Sequence, residues 1–521
     1  MMSQFRHLLY SIMLLTSAMW RMGREDPRAF REKIVERIRA SSAVDRVPRR
    51  AFRRIIGDRQ RSKVEILFDN GAFGELASLQ NSIEFRCLSR SDRRKVERAR
   101  ERSYLLSSKI PSSVPTRCLG IAPKVIYFLT NSVPYTQSGY TFRSHETAKA
   151  LVSDGVDIVA VTRFAYPIVV GKFPKRGEDL VDGVRYIRQI GTKYPGSLLN
   201  RNELSVKMLL STIRAQGANI IHTTTDYNNA LVVSEAANRA GVPWVYEVRG
   251  ELESTWLSRH PKEQQESLKQ SDFYLAARAL ETECMKSAAA VIALSEVSRK
   301  QLIGRGVNPD KILVFPNAVD EEFIGKTHDR AVLREELGLL DDFLEPDATL
   351  VGTVTSIVGY EGIDDLLHAA SLTSNISVLI VGEGIDRPRL EHLVQELGME
   401  ARVLFVGRQP NSTIWKWYGA LDAFVVPRKD TQVCRTVTPI KALMAQALGV
   451  EIITSDIPAL REITGGLGTY VTPESPESLA RALAQIAPNK PRNPESIIWA
   501  SEHTWKANAS RLSALYNDLL R

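Results

Sequence analysis

From Lys124 onward the sequence alternates short β-branched runs with longer stretches of helical spacing, and this alternation restricts the fold more than any other feature. The runs are KVIYFLT (124–130), VDIVAVT (156–162), VRYIRQI (184–190), NIIHTTT (219–225), WVYEVR (244–249), AVIALS (290–295) and KILVFP (311–316). Most are apolar on consecutive residues rather than on every second one, which marks strands buried on both faces. A parallel sheet between two helical layers provides that environment. The intervening SHETAKALVSDG (144–155) and NNALVVSEAANRAG (228–241) carry apolar residues at helical spacing. The pattern then restarts with TLVGTVTSI (349–357), SVLIVGEG (377–384), RVLFVGR (402–408), AFVVPR (423–428), EIITS (451–455) and TYVTP (469–473). A chain of 521 residues exceeds what one hydrophobic core holds. Two successive Rossmann-like α/β domains follow, at 116–320 and 321–500, closed by a helix over 501–521.

The first 115 residues have a different character. Residues 1–63 hold 16 Arg/Lys against 6 Asp/Glu, so the net charge of +9 belongs to this arm and the remainder is close to neutral. Segments 24–63 and 90–103 are charged and helix-prone, and SSKIPSSVPTR (107–117) reads as a linker. Such an arm suits an anionic lipid surface, a nucleic acid or an acidic partner. The apolar run Leu8–Trp20 has 13 residues, short of the ~20 a spanning helix needs. Arg21, Arg24 and Arg28 directly behind it oppose export. We therefore expect an interfacial helix on the cytoplasmic leaflet and a cytoplasmic, peripheral protein without nucleic-acid binding. The four scattered cysteines fit a reducing compartment and give no metal-ligand spacing.

In open α/β sheets ligands bind beyond the strand C-termini, and the chemically interesting residues of this chain fall there. Gly139 lies in the loop after the first strand, ahead of a helix carrying His145. Glu247 and Arg249 end another strand and share one side by alternation. A charged pair at a buried strand end needs a partner or a ligand. In the second domain TSIVGYEG presents Ser356, Gly359 and Glu361, and GEGIDRPRL presents Gly382 and Glu383. The stretch VVPRKDTQVCRTVTPIKALMAQAL (425–448) places Arg428 and Lys441 on either side of a helix start, with Thr438 as expected cap and Pro439 in the first turn. Two cations beside free backbone N–H groups make a phosphate site. Neither a nucleophile elbow nor a Walker loop is present. His145 and His222 read as structural histidines.

Taken in order, PYTQSGYTFRSHETAKAL, VPWVYEVRGELESTW, VIALSEVSRKQLIGRGVNPDKILVFPNAVD, VGEGIDRPRLEHLVQELG and VVPRKDTQVCRTVTPIKALMAQAL resemble the retaining, nucleotide-sugar-dependent glycosyltransferases of family 4. The resemblance covers about 124–520. It implies a GT-B fold, two parallel-sheet domains facing across a cleft, with the basic helical extension outside it. It also implies a donor-binding C-terminal domain, an acceptor-binding N-terminal domain, no obligatory metal and no cofactor beyond the nucleotide-sugar substrate.

In these terms Arg428, Lys441 and the backbone of Thr438, Pro439 and Ile440 grip the diphosphate. Ser356, Gly382 and Glu383 line the donor pocket, Gly139 faces the phosphates, and Glu247 and Arg249 face the reacting sugar. The chain departs from the usual Glu-x7-Glu signature, whose positions fall at Thr436 and Met444. Met444, counted among the donor-binding positions, cannot accept hydrogen bonds from ribose hydroxyls. The loop cations common in the family fall at Thr355 and Glu361, its acceptor-domain histidine at Arg249, and a subgroup's proline at Ala442. The expected function is transfer of a sugar to a saccharide or lipid-linked acceptor in polysaccharide or cell-envelope synthesis. The alternatives are a non-catalytic scaffold of the same fold and, less favoured, a nucleotide-sugar epimerase.

Overall fold

A computed structural model describes residues 13–19, 61–79, 83–112, 122–326, 329–340, 343–345, 348–410 and 412–521. The chain divides into two compact units, Met1–Val291 with Tyr516–Arg521, and Ile292–Leu515.

The first sheet is formed by β1 (Lys124–Leu129), β2 (Asp157–Thr162), β3 (Glu178–Val181), β4 (Val184–Arg188), β5 (Ile220–Thr224), β6 (Trp244–Val248), β7 (Ala290–Ala293) and β8 (Ile312–Val314). Its order is β3-β4-β2-β1-β5-β6-β7-β8. β1 pairs in parallel with β2 on one side and β5 on the other, so the order reverses at β1. After its first residue β1 is buried throughout, as its continuous apolar run requires. Only β3 is antiparallel to its neighbour β4 among the pairings of this sheet that are resolved strand by strand, and sequence reading missed it. Its EDLV is half polar, but the turn after it is Asp182-Gly183, both at positive φ. Asp-Gly between two short runs is the strongest local signal for a tight hairpin.

The second sheet comprises β9 (Thr349–Val354), β10 (Ile376–Val381), β11 (Val403–Gly407), β12 (Ala423–Val426), β13 (Glu451–Ser455) and β14 (Thr469–Val471). Its order is β11-β10-β9-β12-β13-β14, and every pairing is parallel. Neighbouring residues feed opposite layers. Leu350, Leu379 and Phe424 join Trp415, Tyr418 and Leu443 in one apolar cluster. Val351, Val378 and Val425 join Leu366 and Leu367 in the other. The central strands β10 and β12 are thus wetted on neither face, as expected for an α/β layer structure, while the edge strands β11 and β14 are partly buried.

Helices Lys63–Asp69, Phe73–Ser78, Ile83–Cys87 and Arg90–Leu106 precede the first sheet. Ser62 and Glu65 form a capping box, and Glu65 also pairs with Lys95 at 2.8 Å. Gly74 N–H donates to Asp272 at 2.7 Å and Phe73 meets Phe273 edge-on, which ties these helices to helix Asp272–Ser287. Residues 13–19 are helical. Leu14 is fully enclosed by Phe164, Ala165 and Ile168, while Met13 and Met19 remain exposed. One face of the segment expected to lie on a lipid surface is therefore packed on protein. Residues 24–60, expected to be helical, lie outside the described residues. Among the described residues no helix is long and apolar enough to cross a membrane. The closing helix expected over 501–521 is Trp505–Asp518, and a further helix, Pro494–Ser501, precedes it. Thr504 interrupts them, its hydroxyl accepting from Ala507 N–H at the start of the second.

Candidate functional site

Each unit builds a buried cluster of one carboxylate and two cations at the C-terminal ends of its strands. In the first unit the carboxylate is Glu247, next to last in β6 and fully buried. Arg143 Nε donates to its Oε1 at 2.8 Å, Arg249 Nη2 to Oε2 at 2.6 Å, and the Tyr127 hydroxyl to Oε2 at 2.8 Å. Arg249 Nη1 also donates to Tyr140 O at 2.9 Å and Ser144 Oγ at 2.7 Å, fastening the first turn of helix Gly139–Ser153 to the end of β6. Burial raises the Glu247 carboxyl, and Arg249 and Arg143 outweigh it, holding the group well below the usual carboxylate range. His222, within β5 as expected, stands 3.6 Å from Glu247 and 2.7 Å from the Tyr516 hydroxyl. Burial drives its imidazole down to about 4, so it is neutral at pH 7.

Glu247 and Arg249, expected to face a reacting sugar, are enclosed on all sides by this network. The physical reason is helix Gly139–Ser153, which follows β1 and reaches the end of β6 through Arg143, Tyr140 and Ser144. They form the structural ion pair that buried charges demand. His145 is likewise satisfied, its ring nitrogens 2.8 Å from Tyr186 OH and 2.9 Å from Asp182 Oδ2.

In the second unit the carboxylate is Glu361, on the single turn Gly359–Glu361 after β9, and it is buried. Arg428, two residues beyond β12, donates from Nη2 to Oε1 at 3.1 Å and from Nε to Oε2 at 3.3 Å. Its Nη1 donates to Val437 O at 2.9 Å. Lys441, in helix Ile440–Ala447, donates to Glu361 Oε2 and to Thr355 Oγ1, the latter at 2.6 Å. Burial pulls Lys441 down to about 8, with Arg428 acting the same way and Glu361 against it. Burial raises the Glu361 carboxyl, but Lys441 and Arg428 prevail and hold it at about 2. The cluster therefore carries one net positive charge at neutral pH. Lys441 has three protons and two acceptors here.

Backbone contacts fix this geometry. Gly362 adopts φ +70°, and a Cβ there would stand 1.8 Å from Pro427 O, so only glycine lets the loops after β9 and β12 touch. At Gly382, φ +142°, an added Cβ would likewise stand 1.8 Å from Thr355 O. The role of Gly382 is to seat the loop after β10 against the loop after β9.

Other expectations are redistributed. Thr438 does not cap the helix: its hydroxyl donates to Leu294 O at 3.4 Å and its carbonyl accepts from Asn317 Nδ2 at 2.6 Å. Pro439 itself is the cap residue and supplies no side-chain acceptor, so the N–H groups opening at Ile440 have no side-chain cap. Ser356 is exposed at the rim of the cluster. Glu383 is exposed and paired with Arg387 instead of joining Glu361. Met444 is partly buried against the apolar cluster around Leu443. Gly139 opens the helix capped by Ser138, and a Cβ there would meet nothing within 4 Å.

Sequence reading noted Glu361 only as a loop residue. Yet Thr355 and Glu361, where the resemblance places loop cations, are the two groups that Lys441 reaches. Arg143 and Tyr127 were missed altogether, since nothing in sequence ties them to Glu247.

Two family descriptions match the chain in succession: Glycosyl transferase 4-like domain over residues 138–318 and Glycosyl transferases group 1 over residues 342–504. D-inositol 3-phosphate glycosyltransferase of Corynebacterium glutamicum is 28% identical over 232 residues, 41% of this chain and 53% of that protein. The enzyme of the same name from Corynebacterium urealyticum is 25% identical over 407 residues, 72% of this chain and 89% of that protein. The O-antigen biosynthesis glycosyltransferase WclY of Escherichia coli is 24% identical over 192 residues, 36% of this chain and 50% of its own. The chain thus spans about half the length of the first and third of these relatives and most of the second. Among solved structures, sucrose-phosphate synthase from Thermosynechococcus elongatus superposes with a TM-score of 0.61 at 21% identity, covering 76% of this chain and 99% of that one. HepE of Anabaena in complex with UDP-glucose gives a TM-score of 0.52 at 17% identity, with 76% and 98% covered. The chain carries a glycosyl transferase 4-like domain followed by a glycosyl transferases group 1 domain, on two parallel-sheet α/β units with GT-B glycosyltransferase neighbours.

Proposed function

We propose that the protein moves a sugar from a nucleotide-sugar donor on the second unit to a saccharide or lipid-linked acceptor on the first, with retention and without a metal. The observation that carries this reading is the Arg428–Glu361–Lys441 cluster: one buried and one partly buried cation beside a helix start that has no side-chain cap. Charge accumulates on the nucleoside diphosphate as the glycosidic bond breaks. Fixed positive groups aimed at that charge lower the barrier without reorganising. Glu361 keeps the two cations side by side before a ligand arrives, and the remaining proton of Lys441 and the N–H groups from Ile440 onward meet the phosphates. The departing phosphate helps take the proton of the attacking hydroxyl on the same face of the sugar, so no protein nucleophile is needed.

Glu247 and Arg249 act in this scheme as the rigid floor that holds helix Gly139–Ser153, not as groups touching the sugar. Ser356 and Glu383 border the donor. Because Met444 cannot bind ribose hydroxyls, recognition rests on the diphosphate more than on the nucleoside. That HepE holds UDP-glucose supports a sugar nucleotide as donor, and WclY supports polysaccharide or cell-envelope synthesis as the setting. The basic arm at 1–63 would hold the protein on the anionic cytoplasmic face of a membrane.

The test is thermal unfolding with a panel of nucleoside diphosphates. A ligand at 100 times its Kd adds about 2.7 kcal/mol. Arg428→Ala should also lower kcat/KM by the equivalent of about 2–4 kcal/mol. No shift with any nucleotide would leave the scaffold reading in its place.

A further inference from the structure

The stretch VIALSEVSRKQLIGRGVNPDKILVFPNAVD (291–320) lends no group to the proposed transfer, yet both of its ends reach the loop before helix Ile440–Ala447. Leu294 and Ser295 follow β7, and Asn317 lies just beyond β8. Three successive carbonyls of the loop each accept a side chain. Ser295 Oγ donates to Thr436 O at 3.2 Å, Arg428 Nη1 to Val437 O at 2.9 Å, and Asn317 Nδ2 to Thr438 O at 2.6 Å. The Thr438 hydroxyl in turn donates to Leu294 O at 3.4 Å. Ser295, Asn317 and Thr438 are all buried, and every residue in this set belongs to the unit Ile292–Leu515.

The groups that grip the loop are themselves fixed. Ser295 caps helix Glu296–Gly304, its Oγ accepting Ser298 N–H at 2.9 Å. Glu462 accepts the two N–H groups that follow the cap, Glu296 at 2.6 Å and Val297 at 3.1 Å. On either side of Asn317, Pro316 O accepts Asn508 Nδ2 at 2.9 Å and Val319 N–H donates to His503 O at 3.0 Å. A side chain anchored in this way imposes a conformation on the backbone that it holds.

Residue type shows what the grip prevents. Threonine beside a helix start is a capping residue, and its hydroxyl can accept the N–H two residues on. In that role Thr438 would take Ile440 N–H and close the helix start. Here Asn317 holds its carbonyl and Leu294 O takes its hydroxyl, which leaves Pro439 as the cap residue without a side-chain acceptor. The bare helix start is therefore imposed by these contacts, since the sequence supplies a capping residue right beside it.

We propose that Asn317 is a positioning residue for the donor. By holding Thr438 O it keeps the Thr438 hydroxyl off the helix start, and the N–H groups from Ile440 onward stay open to the diphosphate. This deepens the transferase reading and rests on it for the ligand, though not for the state of the helix start.

Two measurements on the full chain test it. Calorimetry follows binding of uridine, adenosine and guanosine diphosphates, and hydrogen exchange follows the backbone amides of Ile440 and Lys441 without ligand. Asn317→Ala should weaken whichever of these diphosphates binds wild type by about fivefold, the worth of one helix cap, and should slow exchange at Ile440. Thr438→Val has no hydroxyl to offer, so adding it to Asn317→Ala should restore both affinity and exchange to those of Thr438→Val alone. A residue that merely stabilises the fold would give losses that add. Equal affinity of Asn317→Ala and wild type, or a double variant that binds no tighter than Asn317→Ala, overturns the proposal. Should Asn317→Ala not fold, Asn317→Leu, similar in size and without a donor, takes its place. If none of the diphosphates binds any form, the donor reading falls by itself and exchange decides. Slowing at Ile440 in Asn317→Ala that Thr438→Val removes then sustains the positioning role, and unchanged exchange overturns it.

Discussion

Glu247 and Glu361 are near-copies in composition: each is a buried carboxylate between two cations at the C-terminal end of a parallel strand. Their surroundings differ. Around Glu247, Tyr127 adds a third donor, Arg249 is tied to Tyr140 and Ser144, and His222 fills the remaining side. Around Glu361, Lys441 holds one serviceable hydroxyl besides the carboxylate, the helix start has no side-chain cap, and Ser356 and Tyr360 lie exposed nearby. A charge cluster enclosed on every side stabilises one structure, even where Arg249 Nε finds no acceptor. One with a surplus cation at an open helix end can take an anion. Charge alone did not distinguish them; enclosure did, since the Glu361 cluster borders the exposed Ser356 and Tyr360 and the Glu247 cluster is buried throughout.

The largest expected effect belongs to the closed cluster. Glu247→Gln leaves Arg143 and Arg249 buried together without a counter-charge, a loss of about 3–5 kcal/mol, which is a large part of a typical domain's stability. Urea unfolding measures it, and no anion should restore it; a loss below about 1 kcal/mol would break the comparison.

Glu361→Gln should cost somewhat less, about 3 kcal/mol, and a nucleoside diphosphate should recover more stability in this variant than in wild type. Because the folded Glu361 carboxyl lies at about 2 against an ordinary 4.5, its stabilisation is complete above pH 4.5 and is lost as pH falls toward 2. The glutamine variant should lack that part of the acid-unfolding slope.

The smallest effect concerns Lys441, whose folded value of about 8 lies below the ordinary 10.5. Only the protonated form attracts phosphate, so nucleoside diphosphate affinity should decline as pH rises through 8. Stability should not decline with it, because deprotonation of this lysine favours the fold between 8 and 10.5. Lys441→Arg should move the break in affinity beyond the measurable range.

Much of the architecture was legible in the sequence, because parallel strands covered on both faces must be apolar on consecutive residues. Thirteen runs such as KVIYFLT and AFVVPR each became a strand within a residue or two at most ends. β3 escaped because its EDLV carries two charges and its identity lies in the Asp182-Gly183 turn after it. Arg428 and Lys441 could be paired because they share one strand–loop–helix segment. Their carboxylate partner could not, since Glu361 arrives from a loop about 70 residues earlier, and position along the chain says nothing about such meetings. The roles of Glu247 and Arg249 turned on Arg143, more than 100 residues away in sequence from Glu247. Thr438 was misread because N-cap preference is local, whereas the hydroxyl found a carbonyl at Leu294.

In the proposed function the Glu361 cluster, and not the Glu247 cluster, receives a diphosphate. Calorimetric titration of a nucleoside diphosphate into wild type, Arg428→Ala and Lys441→Ala tests it most directly. Measurable binding to wild type is expected, with an affinity at least about tenfold weaker in each variant, the equivalent of about 1.4 kcal/mol. Equal affinity in all three proteins would contradict it.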